Sequence, residues 1–285
     1  YLDGTAGGGG HSRAILEASA PDGCVYALDR DEEAIREASA ALSAFGDRVT
    51  IRQGNFSRAG EIFPNLVFNG ALIDIGVSSY QLDTPLRGFS CDRDGPLDMR
   101  MDRSGRMDAA QVLAEADEYK LAKVFRDFGE TPFSRRLARE IVSRRDQEPI
   151  RTTGRLAGIV RSAVPRRYER KTLVLVFQAL RIFVNHELEL LSRGLETLFK
   201  MLEPGGRLAV ISYHSLEDRL VKRFFAGLAN PPCTCPPGLP VCSCGRVPQA
   251  SLPVRKLVRP TESEVAANTR SRSARLRVVE KLDLA

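Results

Sequence analysis

The tightest constraint on this chain is an alternation in its first third, where short apolar runs take turns with helical stretches. "YLDGT" runs into the glycine-rich "AGGGGHS", and "HSRAILEAS" follows as the start of a helix. "GCVYALDRD" reads as a second strand, with Val25, Ala27 and Leu28 leading to Asp29. In "DEEAIREASAALSAF" the residues Ile35, Ala38, Leu42 and Phe45 fall near helical spacing, and acids fill the first turn. "RVTIRQGNF" and "NGALIDIGVSS" read as a third and a fourth strand, largely apolar as buried parallel strands are. Strands that recur with helices between them form a parallel sheet with right-handed crossovers. The expected class is therefore α/β, a doubly wound and mostly parallel sheet.

From about Leu86 the pattern breaks. The chain turns arginine-rich and helical through "AAQVLAEADEYKLAKVFRDFG" and "FSRRLAREIVSRRD", with no strand candidate until "TLVLVF". A long helix is expected near "ALRIFVNHELELLSRGLETLFKML", where Val184, Leu188, Leu191, Leu195, Leu198 and Leu202 make one apolar stripe. "EPGGRLAVISYHS" supplies a turn and a fifth strand, "LEDRLVKRFFAGL" a helix, and "ARLRVVEKL" a last edge strand. The expected organisation is an α/β domain over residues 1–85 and 180–285, interrupted by an all-helical insertion over residues 86–179. Charge marks the insertion too. Between Leu86 and Lys171 there are 20 Lys and Arg against 14 Asp and Glu, an excess of six that equals the net charge of the whole chain. A localised basic face of this kind suits nucleic acid, although a solvated helix surface gives the same count.

Hydrophobic residues make up 43% of the chain and charged ones 27%, as in ordinary globular domains. No apolar run approaches the roughly 20 residues of a membrane span. Tyr1-Leu2 already reads as the end of a strand, so a preceding element is expected, and the chain is expected to be cytoplasmic. Six cysteines occur, four of them in "CTCPPGLPVCSC" as Cys233, Cys235, Cys242 and Cys244. These are Cys-x-Cys pairs rather than the Cys-x-x-Cys knuckles of zinc ribbons. They are read as a proline-stiffened loop, with no metal expected and a metal or redox role as the alternative.

The glycine loop narrows the ligand. A dinucleotide fingerprint needs glycines at i, i+2 and i+5. Here Gly7 and Gly9 are followed by Ser12, and Gly8 and Gly10 by Arg13. A P-loop ends in Gly-Lys-Ser/Thr, and this loop has no lysine. The pattern Asp/Glu-x-Gly-x-Gly-x-Gly of S-adenosylmethionine loops fits through Asp3, Gly7 and Gly9, with Thr5 in place of the first glycine. That ligand carries an ammonium and a carboxylate and no pyrophosphate, so it needs close backbone and a nearby acid rather than a phosphate clamp. Asp29, ending the second strand, can accept hydrogen bonds from two ribose hydroxyls. Phe56 in "GNFS" can pack against adenine. Asp74, ending the fourth strand, lies at the carboxyl edge where ligands of open α/β sheets bind.

The stretches "DGTAGGGGHS", "ALDRD", "DIGVSSYQLDTPLRGFSCDRDGPLDMRMD", "FQALRIFVNHEL", "ISYHSLEDRLVKRFF" and "RSRSARLRV" resemble, in order, the MraW (RsmH) family of bacterial 16S rRNA (cytosine-N4)-methyltransferases. The resemblance implies a Rossmann-like class I methyltransferase domain with an inserted helical domain. It also implies cofactor contacts at Gly9, Gly10, His11, Asp29, Phe56, Asp74 and Gln81. The implied cofactor is S-adenosyl-L-methionine, and the implied partner is 16S rRNA in the small ribosomal subunit, methylated at a decoding-site cytidine. Asp74 and His214 are the candidates for assisting the amine. For His214 the alternative is a structural tether of the following helix. The chain departs from the family where His-Pro-Ala-Thr-Arg precedes Phe-Gln-Ala, because residues 171–176 read Lys-Thr-Leu-Val-Leu-Val instead. Two other functions stay open at this stage: an RNA-binding relic that no longer turns over, and a methyltransferase for another substrate.

Overall fold

A computed structural model describes residues 1–105, 107–233, 235 and 244–284. The chain forms two compact units, one of Tyr1–Gly76 with Leu188–Ala285 and the other of Val77–Glu187. The second is wider at each end than the 86–179 insertion expected from the charge pattern.

The first unit opens with β1 (Leu2–Asp3), α1 (Gly10–Ala18), β2 (Val25–Asp29), α2 (Glu32–Leu42), β3 (Val49–Gln53), α3 (Ala59–Ile62) and β4 (Phe68–Asp74). The helix α2 starts where Asp31 caps it, its carboxylate accepting from the Glu33 N–H at 3.1 Å. The second unit is helical: α4 (Ser79–Asp83), α5 (Ala109–Glu115), α6 (Glu118–Asp127), α7 (Ser134–Arg145), α8 (Thr153–Ala163) and α9 (Glu169–Val184). The chain continues through α10 (Glu187–Lys200) and returns to the sheet with β5 (Leu202–Ser212), α11 (Ser215–Ala229), β6 (Ala250–Ser251), α12 (Glu262–Ala267) and β7 (Arg275–Lys281).

The described strands lie in the order β3-β2-β1-β4-β5-β7-β6. The first five are parallel, and β7 runs antiparallel to both β5 and β6. Strand order reverses between β1 and β4, the kind of switch point at which doubly wound sheets bind ligands. The register sets Asp3 beside Ala27 and Leu72, Asp29 beside Gln53, and Asp74 beside Ile211. Asp3, Asp29 and Asp74 therefore all end strands at one carboxyl edge. One face of the sheet is closed by a core of Leu28, Ile73, Leu191, Leu195, Leu198 and Phe225, among others.

Three sequence expectations are corrected. "TLVLVF" is the start of α9 rather than a strand: Leu173, Val176, Phe177 and Leu180 recur at helical spacing and are buried, and Val174 faces out. A six-residue apolar run cannot choose between periods by itself, and the helix-forming residues on either side decide. The long helix expected through "VNHE" breaks in two, because Asn185 leaves the helix and His186 has a φ of 51°. The Asn185 amide donates to the Met99 carbonyl at 2.7 Å and accepts from the Met101 N–H at 2.9 Å. The apolar stripe is shared accordingly: Val184 packs in the helical unit's core, and Leu191, Leu195 and Leu198 pack in the sheet unit's. Finally, "ARLRVVEKL" is not an edge strand, since β6 pairs outside it.

The α10 helix packs closely because Gly194 lacks a side chain. A Cβ there would stand 2.3 Å from the Phe56 ring. Gly194→Ala is expected to destabilise the chain by about 1–3 kcal/mol in urea unfolding, despite alanine's better helix propensity. A gain in stability would show that the ring moves aside freely.

Candidate active site

The loop after β1 is held at both sides before it turns. The Gly4 N–H donates to the Leu72 carbonyl at 2.8 Å, and the Ala6 N–H donates to the Leu28 carbonyl at 2.8 Å. Asp3 is fully buried and serves the loop itself: it accepts from the Ser12 hydroxyl at 2.7 Å and from the Thr5 N–H at 3.1 Å. Burial pushes its carboxyl pKa up, and these two donors oppose the rise. Thr5, which stands where a glycine was expected, has a job of its own. Its hydroxyl accepts from the Asp74 N–H at 2.6 Å and so ties the loop to the end of β4.

Gly9 caps α1 with a φ of 81°, a left-handed conformation that favours glycine. Gly10 follows as the first helical residue, and a Cβ on it would meet nothing within 4 Å. No protein packing demands glycine at Gly10; a ligand approaching the backbone there would. Asp29 accepts from the Gly7 N–H and the Asp31 N–H, each at 2.9 Å, with its pKa raised by burial. Each oxygen retains a second lone pair, so two ribose hydroxyls can still be served.

Asp74 is the centre of the arrangement. Its Oδ2 lies 3.4 Å from His11 Nε2 and accepts from the Tyr213 hydroxyl at 3.4 Å. Its Oδ1 is buried with no hydrogen-bond partner among the described residues. A buried carboxylate oxygen without a donor is costly, and a bound N–H removes that cost. The His11 pKa is raised, chiefly by its hydrogen bond to Asp74. The Tyr213 phenol is pushed well above its ordinary value by burial and by Asp74, so it remains a donor. Sequence reasoning named the neighbouring His214, with a structural tether as its alternative, and did not name Tyr213. The signal was available, because Ile211 pairs with Asp74 and Tyr213 lies two residues further along.

His214 caps α11. Its Nδ1 accepts from the Glu217 N–H at 3.4 Å, and the Glu217 carboxylate accepts from the Tyr213 and His214 N–H groups at 2.9 and 3.3 Å. Phe56 is largely buried, with its ring in the core beneath the sheet and against Gly194. Its backbone opens the short turn Phe56–Arg58, where an N–H has no partner within the turn. Gln81 lies in the second unit, where it closes a capping box with Ser78 at the start of α4. Of the cysteine cluster, Cys233, Cys235 and Cys244 have thiols within 4.8 Å of one another, and Cys242 lies outside the described residues.

The imidazole of His11 is expected to titrate above an ordinary histidine in NMR spectra recorded against pH, and Asp74→Asn should bring it back down. The sign follows from the raised pKa. The His11–Asp74 attraction is present below the ordinary histidine pKa and is lost as pH climbs through the raised one. An unshifted His11 would remove the pair from the site.

The residues at the switch point fit a ligand with an amino-acid end, a ribose and no phosphate. Residues 1–282 match the MraW methylase family. The chain is 51% identical to ribosomal RNA small subunit methyltransferase H of Syntrophotalea carbinolica, with 99% of this chain and 91% of that protein covered. It is also 51% identical to the protein of the same name from Symbiobacterium thermophilum, covering 99% and 90%. The chain belongs to the MraW methylase family and is a methyltransferase whose cofactor is S-adenosylmethionine.

Proposed function

We propose that this chain methylates the N4 amine of a decoding-site cytidine in the 16S rRNA of the small ribosomal subunit, in the cytoplasm. The relatives' names carry small-subunit ribosomal RNA, the cytidine N4 amine is what the family resemblance implies, and the observation that supports the chemistry is the unmet Oδ1 of Asp74. When bound, S-adenosylmethionine supplies an electrophilic methyl on a sulfonium. Gly9, Gly10 and His11 would hold its amino-acid end, Asp29 its ribose hydroxyls and the Phe56 N–H its adenine edge.

The amine is a weak nucleophile because its lone pair is delocalised into the ring. Asp74 Oδ1 accepts one amine N–H and so fixes the direction in which the nitrogen presents that lone pair. Tyr213 and His11 hold the other oxygen and prevent the carboxylate from rotating away. Methyl transfer leaves an extra proton on nitrogen, and the same carboxylate is placed to receive it. His214 is assigned no part in the chemistry; its capping role accounts for its position.

RNA is assigned to the basic second unit. Arg135, Arg136 and Arg139 lie exposed on α7, and Arg166 and Arg167 are exposed after α8. Such cations neutralise phosphates and release counterions, so their contribution weakens with salt.

Two substitutions separate the roles at the sheet edge. Asp74→Ala should slow methyl transfer to isolated small subunits by about 10²–10³-fold, more than any accompanying loss of calorimetric cofactor affinity accounts for. Asp29→Ala should instead weaken cofactor binding by about 1.5–3 kcal/mol. If the two variants exchange phenotypes, the assignments are reversed. Replacing Arg135 and Arg136 together with Ala should lower RNA affinity and flatten its salt dependence without changing cofactor affinity. An unaltered salt slope would leave α7 as plain solvated surface.

A further inference from the structure

Between α11 and β6 the chain makes a long excursion that the methyl-transfer reading does not use. Its base is closed where the Gln249 N–H donates to the Leu228 carbonyl at 2.9 Å. The described residues from Pro231 to Pro248 form no helix or strand. Described residues that join no ladder contribute little to offset the entropy of closing a loop.

The thiols gather at one point in the excursion. Cys233 is exposed, Cys235 and Cys244 are half-buried, and the three sulfurs lie within 4.8 Å of one another. The Cys244 and Cys233 sulfurs are 3.7 Å apart. That is far beyond the roughly 2.05 Å of a disulfide. A tetrahedral zinc with metal–sulfur bonds of about 2.3 Å holds its thiolates about 3.8 Å apart. The separation therefore suits two corners of a metal site. The tight Cys-x-Cys spacing, read from sequence as an argument against metal, does not keep Cys233 and Cys235 from converging with Cys244.

We propose that Cys233, Cys235 and Cys244 form a thiolate site for zinc, a structural staple that closes the excursion between α11 and β6. Three thiols lose their protons to solvent on binding, and the cation takes three sulfur ligands and a water in the fourth tetrahedral position with no change of oxidation state. The site requires no cofactor in the methyltransferase pocket, so it stands or falls separately from the proposed reaction.

The test uses the full chain, purified under reducing conditions without chelator. Elemental analysis should find about one zinc per chain. Replacing it with Co²⁺ should give thiolate-to-cobalt charge-transfer absorption and the visible bands of a tetrahedral ion. Cys244→Ser and Cys233→Ser should each weaken Co²⁺ binding by ~10-fold or more, and Cys24→Ser and Cys91→Ser should leave it unchanged. Should a cluster variant misfold, chelator titration of the unaltered chain provides the second reading: metal removal should expose the peptide bonds near Cys233 and Cys244 to limited proteolysis. Failure of the reduced chain to take up Co²⁺ overturns the proposal. So does Co²⁺ bound equally well by both cluster variants, or a proteolysis pattern indifferent to chelator.

Discussion

The site depends on a buried carboxylate that binds the glycine loop to the helix after it. Asp3 has no solvent exposure, and its two oxygens are occupied by the Ser12 hydroxyl and the Thr5 N–H. Through these bonds the end of β1 is joined to the first turn of α1 and to the start of the glycine loop. Thr5 then extends the chain of bonds to the backbone of Asp74. Removing a partner from such a group leaves a desolvated charge and costs more than the bond is worth. The loop can therefore present bare backbone at Gly9 and Gly10 without being slack.

This rigidity bears on the division of labour among the three strand-end aspartates. Asp3 is enclosed and structural. Asp29 is shared, with one hydrogen bond from the loop and one from the start of α2. Asp74 alone keeps a buried oxygen in reserve. The three occupy equivalent positions at one sheet edge and each has two partners in the chain; what differs is that both partners of Asp74 fall on one oxygen.

Much of this was legible in the sequence, because parallel strands announce themselves by apolar runs and the ends of those runs are marked by acids. Asp29 and Asp74 could be named on that basis. The packing of Phe56 could not: the absence of a side chain at Gly194, far along the chain, lets its ring settle into the core. The break at Asn185 was hidden for a similar reason. Its amide is engaged by Met99 and Met101, 86 and 84 residues away, and local periodicity carries no trace of such a bond. Part of the long "RGFS…DGPLDMRMD" stretch is explained in the same way. Arg87 is buried and donates to the carbonyls of Arg100 and Met101, and Asp94 accepts from the Gly154 N–H at 2.7 Å. These residues brace the helical unit from within.

The margin occupied by β6 has a bearing on how the protein behaves at high concentration. Sheets with long bare margins invite other chains to add to them. Here β6 is only two residues long, and the Lys281 ammonium, at the end of the neighbouring β7, is turned inward onto the carbonyls of Lys200 and Leu202. A foreign segment arriving at β6 itself finds a template of only two residues. The antiparallel finish thus leaves β6 a poor site for strand addition, and β3 carries the sheet's other margin.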